Sequence, residues 1–133
     1  MKKILILFVV AVSFFACNNK SGSRPQTALD TGRDFIRASL DGDFKTAEGL
    51  ILNDTQNIQL FDRYKSFYNT LQQDQKQKYK DAEYTINKLV DVNDSTTTIN
   101  YSNSYMHKPM DIKIVRVDNI WSVDFKYTYS GGE

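Results

Sequence analysis

The residue types that most often carry acid–base or metal chemistry are scarce in this chain of 133 residues. His107 is the single histidine, and it stands beside Pro109 in a segment that we predict to be an exposed loop. A general base must be poised inside a pocket, and one histidine without partners cannot form a zinc site. Asp111 and Asp124 fall on predicted strands, and strand alternation places Asp124 on the solvent face. We therefore predict no catalytic residue, no metal site and no cofactor.

Aromatic residues offer a different chemistry, because a tyrosine combines an apolar ring with a hydroxyl group. A cluster of such side chains between helices and sheet would suit a small amphipathic ligand. The alternative is a plain aromatic core whose hydroxyls lie at the edge of the sheet. The residues expected to line such a pocket are Tyr64, Tyr68, Tyr101, Tyr105, Trp121, Phe125 and Tyr127.

Cys17, the only cysteine, follows two lysines and an apolar run over residues 4–16. This order is typical of a secretory signal, and the run is too short for a permanent membrane span. Residues 13–17 (Ser-Phe-Phe-Ala-Cys) resemble the bacterial lipobox, with Phe14 where leucine is usual. We predict a signal peptide over residues 1–16 and a membrane-anchoring lipid, including palmitate, on Cys17. The alternative is a simple secreted protein that is cleaved nearby.

The segment after the cysteine is polar and contains glycine and proline, which predicts a flexible tether over residues 17–25 with a reach on the order of 20 Å. No acidic cluster follows Cys17, so we expect an outer-membrane anchor that faces the periplasm. Residues 26–130 then form one domain. Removing Lys2 and Lys3 with the signal peptide leaves 15 basic residues against 16 acidic ones, a net charge of −1. This balance disfavours binding to nucleic acid.

Helical periodicity dominates the first half of the domain. Gly42 is predicted to end the first helix in a left-handed conformation, and Asp43 to cap the second. A polar turn or two runs on from Gln72 to about Tyr79. The buried face of the first helix consists of Ala28, Leu29, Gly32, Phe35, Ile36, Ser39 and Leu40. The faces of the next two helices consist of Phe44, Ala47, Leu50 and Ile51, and of Ile58, Phe61, Tyr64, Phe67, Tyr68 and Leu71.

After about residue 83 the apolar period changes from 3.6 to 2, which predicts four antiparallel strands. Residues 93–95 and 118–119 are predicted turns. Val115 and Val117 hint at a bulge in the third strand or at a strand that is covered on both faces. The fourth strand is predicted to run to residue 129. Its core face would consist of Trp121, Val123, Phe125, Tyr127 and Tyr129, and its polar outer face of Ser122, Asp124, Lys126 and Thr128. A polar outer face favours a monomer, and a sheet with one apolar face over matching helices predicts an α+β domain.

Two segments have a familiar pattern: residues 40–47 (Leu-Asp-Gly-Asp-Phe-Lys-Thr-Ala) and residues 117–123 (Val-Asp-Asn-Ile-Trp-Ser-Val). Together with the order of elements, they resemble the nuclear transport factor 2-like (cystatin-like) superfamily. The closest resemblance is to its small bacterial lipoproteins, which have a lumazine-binding-like domain of unknown function. The resemblance covers nearly the whole mature domain. It implies N-terminal helices packed on a curved four-stranded antiparallel sheet, in a cone with a pocket between helices and sheet.

Three functional hypotheses follow. The leading one is a membrane-anchored envelope lipoprotein whose non-catalytic domain binds a small apolar ligand, a peptide or an envelope protein. The second is an enzyme of the dehydratase or isomerase kind, which requires a buried Asp–Tyr or His–Tyr pair in the pocket. The third is a lipoprotein immunity factor that neutralises a toxin.

Overall fold

The computed structural model describes residues 23–129. The predicted signal peptide, Cys17, most of the tether and residue 130 lie outside the described residues. The α+β prediction is confirmed: helices pack against a curved four-stranded antiparallel sheet that is not closed into a barrel. The helices are α1 (Ala28–Asp41), α2 (Phe44–Gly49), α3 (Thr55–Thr70) and α4 (Gln73–Asp81). The strands β1 (Tyr84–Asn93), β2 (Thr96–Asn103), β3 (Met110–Val117) and β4 (Ile120–Asp124) follow, and a short helix α5 (Phe125–Tyr129) comes last.

The turn between α1 and α2 forms as predicted. Gly42 adopts a left-handed conformation with φ 72°, and its N–H donates to the carbonyl of Ser39 at 3.3 Å. A Cβ added at Gly42 would lie 2.8 Å from the Tyr68 hydroxyl oxygen, so both the positive φ and this close contact disfavour a side chain here. The Asp43 carboxylate accepts a hydrogen bond from the Thr46 N–H at 3.2 Å and caps α2.

The sheet has the strand order β1-β2-β3-β4, with each strand antiparallel to its neighbours. Strand β2 shows the predicted alternation, since Thr97, Ile99, Tyr101 and Asn103 are all buried. The predicted turn between β3 and β4 is also confirmed. Asp118 and Asn119 have φ values of 51° and 61°, the pair of positive angles that a type I′ hairpin requires.

The core lies between α1, α3 and the inner face of the sheet. Phe61 is fully buried, and its ring centroid lies 6.3 Å from that of Phe35 and 5.3 Å from that of Phe125. Edge-to-face and tilted ring pairs at such distances contribute about 0.5–1.5 kcal/mol each beyond the burial of apolar area. Aliphatic side chains from α1 and the sheet complete the core, among them Ile36, Ile99, Ile112, Ile114 and Val123.

Several predicted core positions are wrong. Phe67 on α3 is 58% exposed. Strand β3 pairs with both neighbours in continuous register, so the predicted bulge is absent there and Val117 points to solvent. Trp121 is only half-buried, and the guanidinium of its cross-strand partner Arg116 lies 5.2 Å from its ring centroid. Trp121 therefore belongs to the sheet margin, where a cation–π contact covers its ring.

The largest correction concerns the fourth strand, which ends at Asp124 instead of continuing to residue 129. The predicted polar outer face does not form. Ser122 is buried, and the Asp124 side chain is 14% exposed, between the ammonium groups of Lys113 at 3.7 Å and Lys126 at 3.9 Å. The prediction that Asp124 faces solvent is wrong. The polar outer face from which we expected a monomer is therefore absent.

The outer edge of β4 is covered by the segment that links α2 and α3. The Leu52 N–H donates to the Val123 carbonyl at 2.9 Å, and the Val123 N–H donates to the Leu50 carbonyl at 2.8 Å. These bonds form a short parallel bridge at Ile51. An edge strand that is already paired in this way offers no free ladder to another chain.

The side chain of Asn57 holds the start of α5, directly after β4. This side chain on α3 is fully buried, and its Oδ1 accepts a hydrogen bond from the Lys126 N–H at 2.8 Å. Its Nδ2 donates to Asp54, the residue that caps α3, at 2.7 Å. The Asn57 backbone N–H, which donates to Asp54 Oδ1 at 2.9 Å, is the main cause of the lowered pKa of the Asp54 carboxyl. The Asn57 side chain and the Lys126 ammonium nitrogen, at 3.3 Å, lower it further. The start of α5 is therefore attached to the start of α3.

Replacing Asn57 by alanine should lower the free energy of unfolding by about 2–3 kcal/mol, because it leaves the Lys126 N–H without its hydrogen-bond acceptor. Urea unfolding measures this loss. Gln56→Ala is the matched control, since Gln56 is exposed on the same helical turn. Equal stability of the Asn57→Ala and Gln56→Ala variants would show that the Asn57–Lys126 bond does not hold α5 in place.

Candidate functional site

A cavity of about 240 Å³ lies between the helices and one end of the sheet, where β2 ends and β3 begins. The second half of α1 forms one wall and α3, α4 and α5 close the sides. The lining residues come from every helix except α2: Phe35, Ser39, Leu40, Tyr64, Tyr79, Tyr101, Asn103, Met106, Met110, Phe125 and Thr128.

Apolar groups make up most of this surface. Phe35, Leu40, Tyr101 and Phe125 are all buried, whereas Met106 is 44% exposed and stands at the side open to solvent. The Tyr79 hydroxyl contacts the Met106 sulfur at 3.2 Å, and the ring centroids of Tyr79 and Tyr105 lie 4.8 Å apart. The flexible methionine side chain is well suited to an entrance, because it can repack around different shapes.

Three polar atoms in the cavity wall are buried without a hydrogen-bond partner among the described residues: Ser39 Oγ, Asn103 Nδ2 and Thr128 Oγ1. Buried polar groups in proteins nearly always have a partner, and each unpaired one costs about 1–3 kcal/mol. Three such groups around one cavity are therefore the most informative feature of the site.

The orientation of the Asn103 amide follows from its other contacts. One terminal atom of the side chain receives hydrogen bonds from the Tyr105 N–H at 3.1 Å and the Met106 N–H at 2.8 Å. Two donors require an acceptor, so that atom is Oδ1 and the remaining atom is the NH₂ group. Asn103 is 4% exposed, and its NH₂ group is buried without a hydrogen-bond partner among the described residues.

The tyrosines of the wall are neutral hydrogen-bonding groups. Burial, and next the nearby Tyr79, raises the pKa of Tyr101 to about 12. Burial, and next the neighbouring tyrosines, also raises the pKa of Tyr64. Both phenols keep their protons at any physiological pH, so neither acts as a base.

No aspartate, glutamate, histidine, lysine or arginine is among the lining residues of this cavity in the described part of the chain. The Asp–Tyr or His–Tyr pair that a dehydratase or isomerase requires is thus not found there. His107 is exposed in the loop after β2, as predicted, and the exposed Asp111 accepts a hydrogen bond from the Asn100 side chain at 2.7 Å. Within residues 23–129 no group of side chains could hold a metal ion.

The structure brings three of the seven proposed pocket residues into the cavity wall, namely Tyr64, Tyr101 and Phe125. Tyr105 lies beside the wall against Tyr79, and Tyr68 packs on Phe44 with 4.9 Å between ring centroids. The other two lie elsewhere. Trp121 borders a separate surface depression, and the Tyr127 ring lies 5.7 Å from the Lys113 ammonium nitrogen.

The polar lining residues were missed as functional candidates, although a signal was present. Ser39 and Asn103 are polar residues on the buried, mostly apolar faces of α1 and β2. A polar residue in such a position needs either an internal partner or a ligand. Thr128 gave no such signal, because its placement depends on the end of β4.

A wider depression of about 840 Å³ lies beside α2 and the β3–β4 hairpin. It opens broadly to solvent, and Arg24, Lys45, Glu48 and Lys65 contribute charges of both signs. Small-molecule sites are usually enclosed and mostly apolar with a few placed polar groups. The smaller cavity meets that description and the wide depression does not.

No family model, no curated protein and no solved structure matches this chain. No helix among residues 23–129 has the length and apolar character needed to cross a membrane.

The three unpartnered groups predict an unusual response to mutation. Ser39→Ala and Thr128→Val should leave the free energy of unfolding unchanged or raise it by up to about 1 kcal/mol, because each removes a buried group that has no partner. Urea unfolding of the ligand-free protein measures the effect.

Ser122→Ala is the matched control, because the buried Ser122 hydroxyl oxygen accepts a hydrogen bond from Arg24 at 2.7 Å. This variant should lose about 1 kcal/mol. Losses of similar size in all three variants would mean that Ser39 and Thr128 are satisfied inside the folded protein.

Proposed function

We propose that this chain is an envelope lipoprotein, anchored by a lipid on Cys17, whose single domain binds a small apolar ligand without catalysing a reaction. The observation that carries the proposal is the partly enclosed, mostly apolar cavity between α1 and the end of β2, whose described lining residues carry no charge. We further propose that the domain belongs to the nuclear transport factor 2-like superfamily, on the two sequence segments and the order of elements described above.

The size of the cavity favours a small molecule over a peptide or an envelope protein. A volume of about 240 Å³ exceeds the roughly 150 Å³ of an apolar cavity that binds benzene, and is slightly below the usual range of ligand pockets. A compact ligand with one ring or a short chain fits this space. The rings of Phe35 and Phe125, which pack against each other with centroids 6.1 Å apart, supply apolar contacts for it.

The position of Arg24 supports an anchor close to the domain. Its guanidinium donates to the Gly49 carbonyl at 2.8 Å and to the Ser122 hydroxyl at 2.7 Å, which attaches the start of the described chain to α2 and β4. Arg24 is seven positions after Cys17 in the chain. An extended segment of that length spans at most about 25 Å, so a lipid on Cys17 would keep the domain near the membrane surface.

Binding in the cavity is tested by NMR with toluene as the probe. We expect saturable shifts of the Asn103 and Thr128 backbone amides, with a weak affinity that suits so few atoms. Ser39→Leu should abolish these shifts, because its larger apolar side chain occupies the cavity. Ser66→Leu is the control, since Ser66 is exposed on α3. Shifts that survive Ser39→Leu would place the probe elsewhere, and no saturable shift would refute cavity binding.

Lipid attachment is tested by metabolic labelling with a palmitate analogue in a bacterial host. The full chain should be labelled and should partition with membranes, whereas Cys17→Ala should lose both properties. Ser21→Ala, a change in the same segment, should leave labelling intact. Equal labelling of the Cys17→Ala variant would remove the anchor from the proposed function.

A further inference from the structure

We infer that the anchored domain contacts the lipid bilayer through the hairpin between β3 and β4, with Val117 and Ile120 in the headgroup region. This inference rests on the proposed lipid on Cys17, because the anchor holds the domain close enough to the bilayer for a weak contact to form. It adds a contact surface and an orientation, which an anchor on a flexible tether does not supply.

The end of this hairpin exposes two large aliphatic side chains next to each other. Val117 is 49% exposed and Ile120 is 45% exposed, and the two residues are directly opposite in the β3–β4 register. Directly opposite residues of an antiparallel pair point to the same face, with Cβ atoms about 4.5–5.5 Å apart. Val117 and Ile120 therefore form one exposed apolar pair beside the turn.

The chain enters the domain on the same face of the hairpin. Side chains two residues apart on a strand share a face, so Ser122 lies on the face of Ile120. The Arg24 guanidinium donates to the Ser122 hydroxyl oxygen at 2.7 Å, and Arg24 lines the same wide depression as Val117 and Ile120. At most about 25 Å of extended chain joins Cys17 to Arg24. A bilayer that holds the lipid is therefore within reach of the apolar pair.

The opposite face of the hairpin has residue types that favour a membrane interface. The ring of Trp121 is half-buried, and the guanidinium of its cross-strand partner Arg116 lies 5.2 Å from the ring centroid. Tryptophan is enriched at the headgroup level of membranes, and long basic side chains extend their charge to the polar boundary there. Contact through the end of the hairpin brings both faces to the headgroup region.

Charges around the hairpin do not select an anionic membrane. Lys45 lines the depression beside the hairpin together with Glu48 and Asp118, so both signs are present. The contact therefore depends on the burial of apolar surface, and each CH₂ group that leaves water shifts such an equilibrium about fourfold. A short tether raises the effective concentration of the domain at the surface to about the millimolar range, so a small apolar pair is enough.

A second protein chain fits this surface less well than a bilayer does. Standard protein interfaces bury about 800 Å² on each partner, far more than two half-exposed side chains offer. The outer edge of β4 is already paired with Leu50 and Leu52, so it offers no free ladder to a partner strand. A lipid surface needs neither a large area nor a free strand edge.

Trp121 is the only tryptophan in the chain, so its fluorescence reports on the hairpin without any substitution. The lipidated protein is reconstituted in phosphatidylcholine vesicles, with and without a nitroxide group on the lipid headgroup. A nitroxide quenches a fluorophore that comes close to it, so we expect the nitroxide lipid to quench Trp121. The comparison is the double variant Trp121→Phe/Met106→Trp, which moves the only tryptophan to the loop after β2.

Met106 suits this comparison because it is 44% exposed and lies at the other end of β2. Its N–H donates to the side chain of Asn103, the last residue of β2. Thr96, the first residue of β2, pairs with Val115, two residues before Val117. The two ends of β2 are seven steps apart, or about 23 Å at 3.3–3.4 Å per residue. We expect the tryptophan of the double variant to be quenched much less than Trp121.

Val117→Ser tests whether the apolar pair makes the contact. It should lower the ratio of bilayer-bound to detached domain about fourfold, because it removes apolar surface on the scale of one CH₂ group. The ratio is calculated from the quenched fraction of the Trp121 fluorescence. Ile120→Ser repeats the test at the other member of the pair. Val90→Ser is the matched control, since Val90 is 37% exposed on β1, two strands away from β3, and its quenching should equal that of the wild type.

The outcomes separate this inference from the proposed function. If the wild type carries no lipid and stays off the vesicles, the proposed anchor fails and the inference with it. If the wild type is anchored but Trp121 is unquenched, or if the double variant is quenched as strongly, the anchor stands and the inference is wrong. Disulfide-linked dimers of a Val117→Cys variant beside an unquenched Trp121 would assign the pair to a second copy of the chain.

The two serine variants decide what positions the hairpin. Wild-type quenching in both Val117→Ser and Ile120→Ser would mean that the tether alone brings the hairpin to the bilayer, which overturns the role of the apolar pair. Because the wild-type measurement needs no substitution and either serine variant tests the pair, failure of one variant to fold leaves the comparison decisive.

Discussion

The fully buried side chain of Asn57 is the constraint on which the last part of the fold depends. Its carbonyl oxygen holds the Lys126 N–H at 2.8 Å, and its amide is held in turn by the capping residue Asp54. The residues after Asp124 continue the alternating pattern of a strand, so the sequence alone would allow β4 to be longer. The bond to Asn57 instead directs the chain across the end of α3 as a short helix. That turn carries Phe125 into the aromatic core and puts Thr128 at the cavity wall.

The same turn explains why a cavity exists. A fourth strand extended to residue 129 would have continued the sheet past this region, whereas the helical turn closes the side of a space left between α1 and β2. Both polar atoms of the buried Asn57 side chain have hydrogen-bond partners, whereas three of the cavity-lining residues have a buried polar atom without one among the described residues. These three are Ser39, Asn103 and Thr128, and a buried group left unpaired in this way costs about 1–3 kcal/mol. In binding proteins such groups are common, because a site that recognises a ligand is rarely optimal for folding.

The sequence predicted the elements whose signals are local. The α1–α2 turn needs only Gly42 and Asp43, and the β3–β4 hairpin needs only two residues that accept positive φ. The end of β4 was mispredicted because Trp121, Val123, Phe125 and Tyr127 alternate like a strand, whereas the competing bond comes from Asn57, far away in the chain. The cavity was predicted in part, through Tyr64, Tyr101 and Phe125. Its polar groups were not, because periodicity assigns a residue to a face without showing whether its hydrogen bonds are satisfied.

Arg24 connects the entry of the chain to one end of the sheet, and this has a geometric consequence. Its partner Ser122 pairs across the sheet with Val115, whereas Met110 of the same strand lines the cavity. Those two positions are five steps apart along β3, or about 17 Å at 3.3–3.4 Å per residue. The chain thus enters the domain beside one end of β3, while the other end of β3 borders the cavity. A tether that leads to Arg24 would leave the cavity uncovered, so attachment to a surface and entry of a ligand would not compete for the same face.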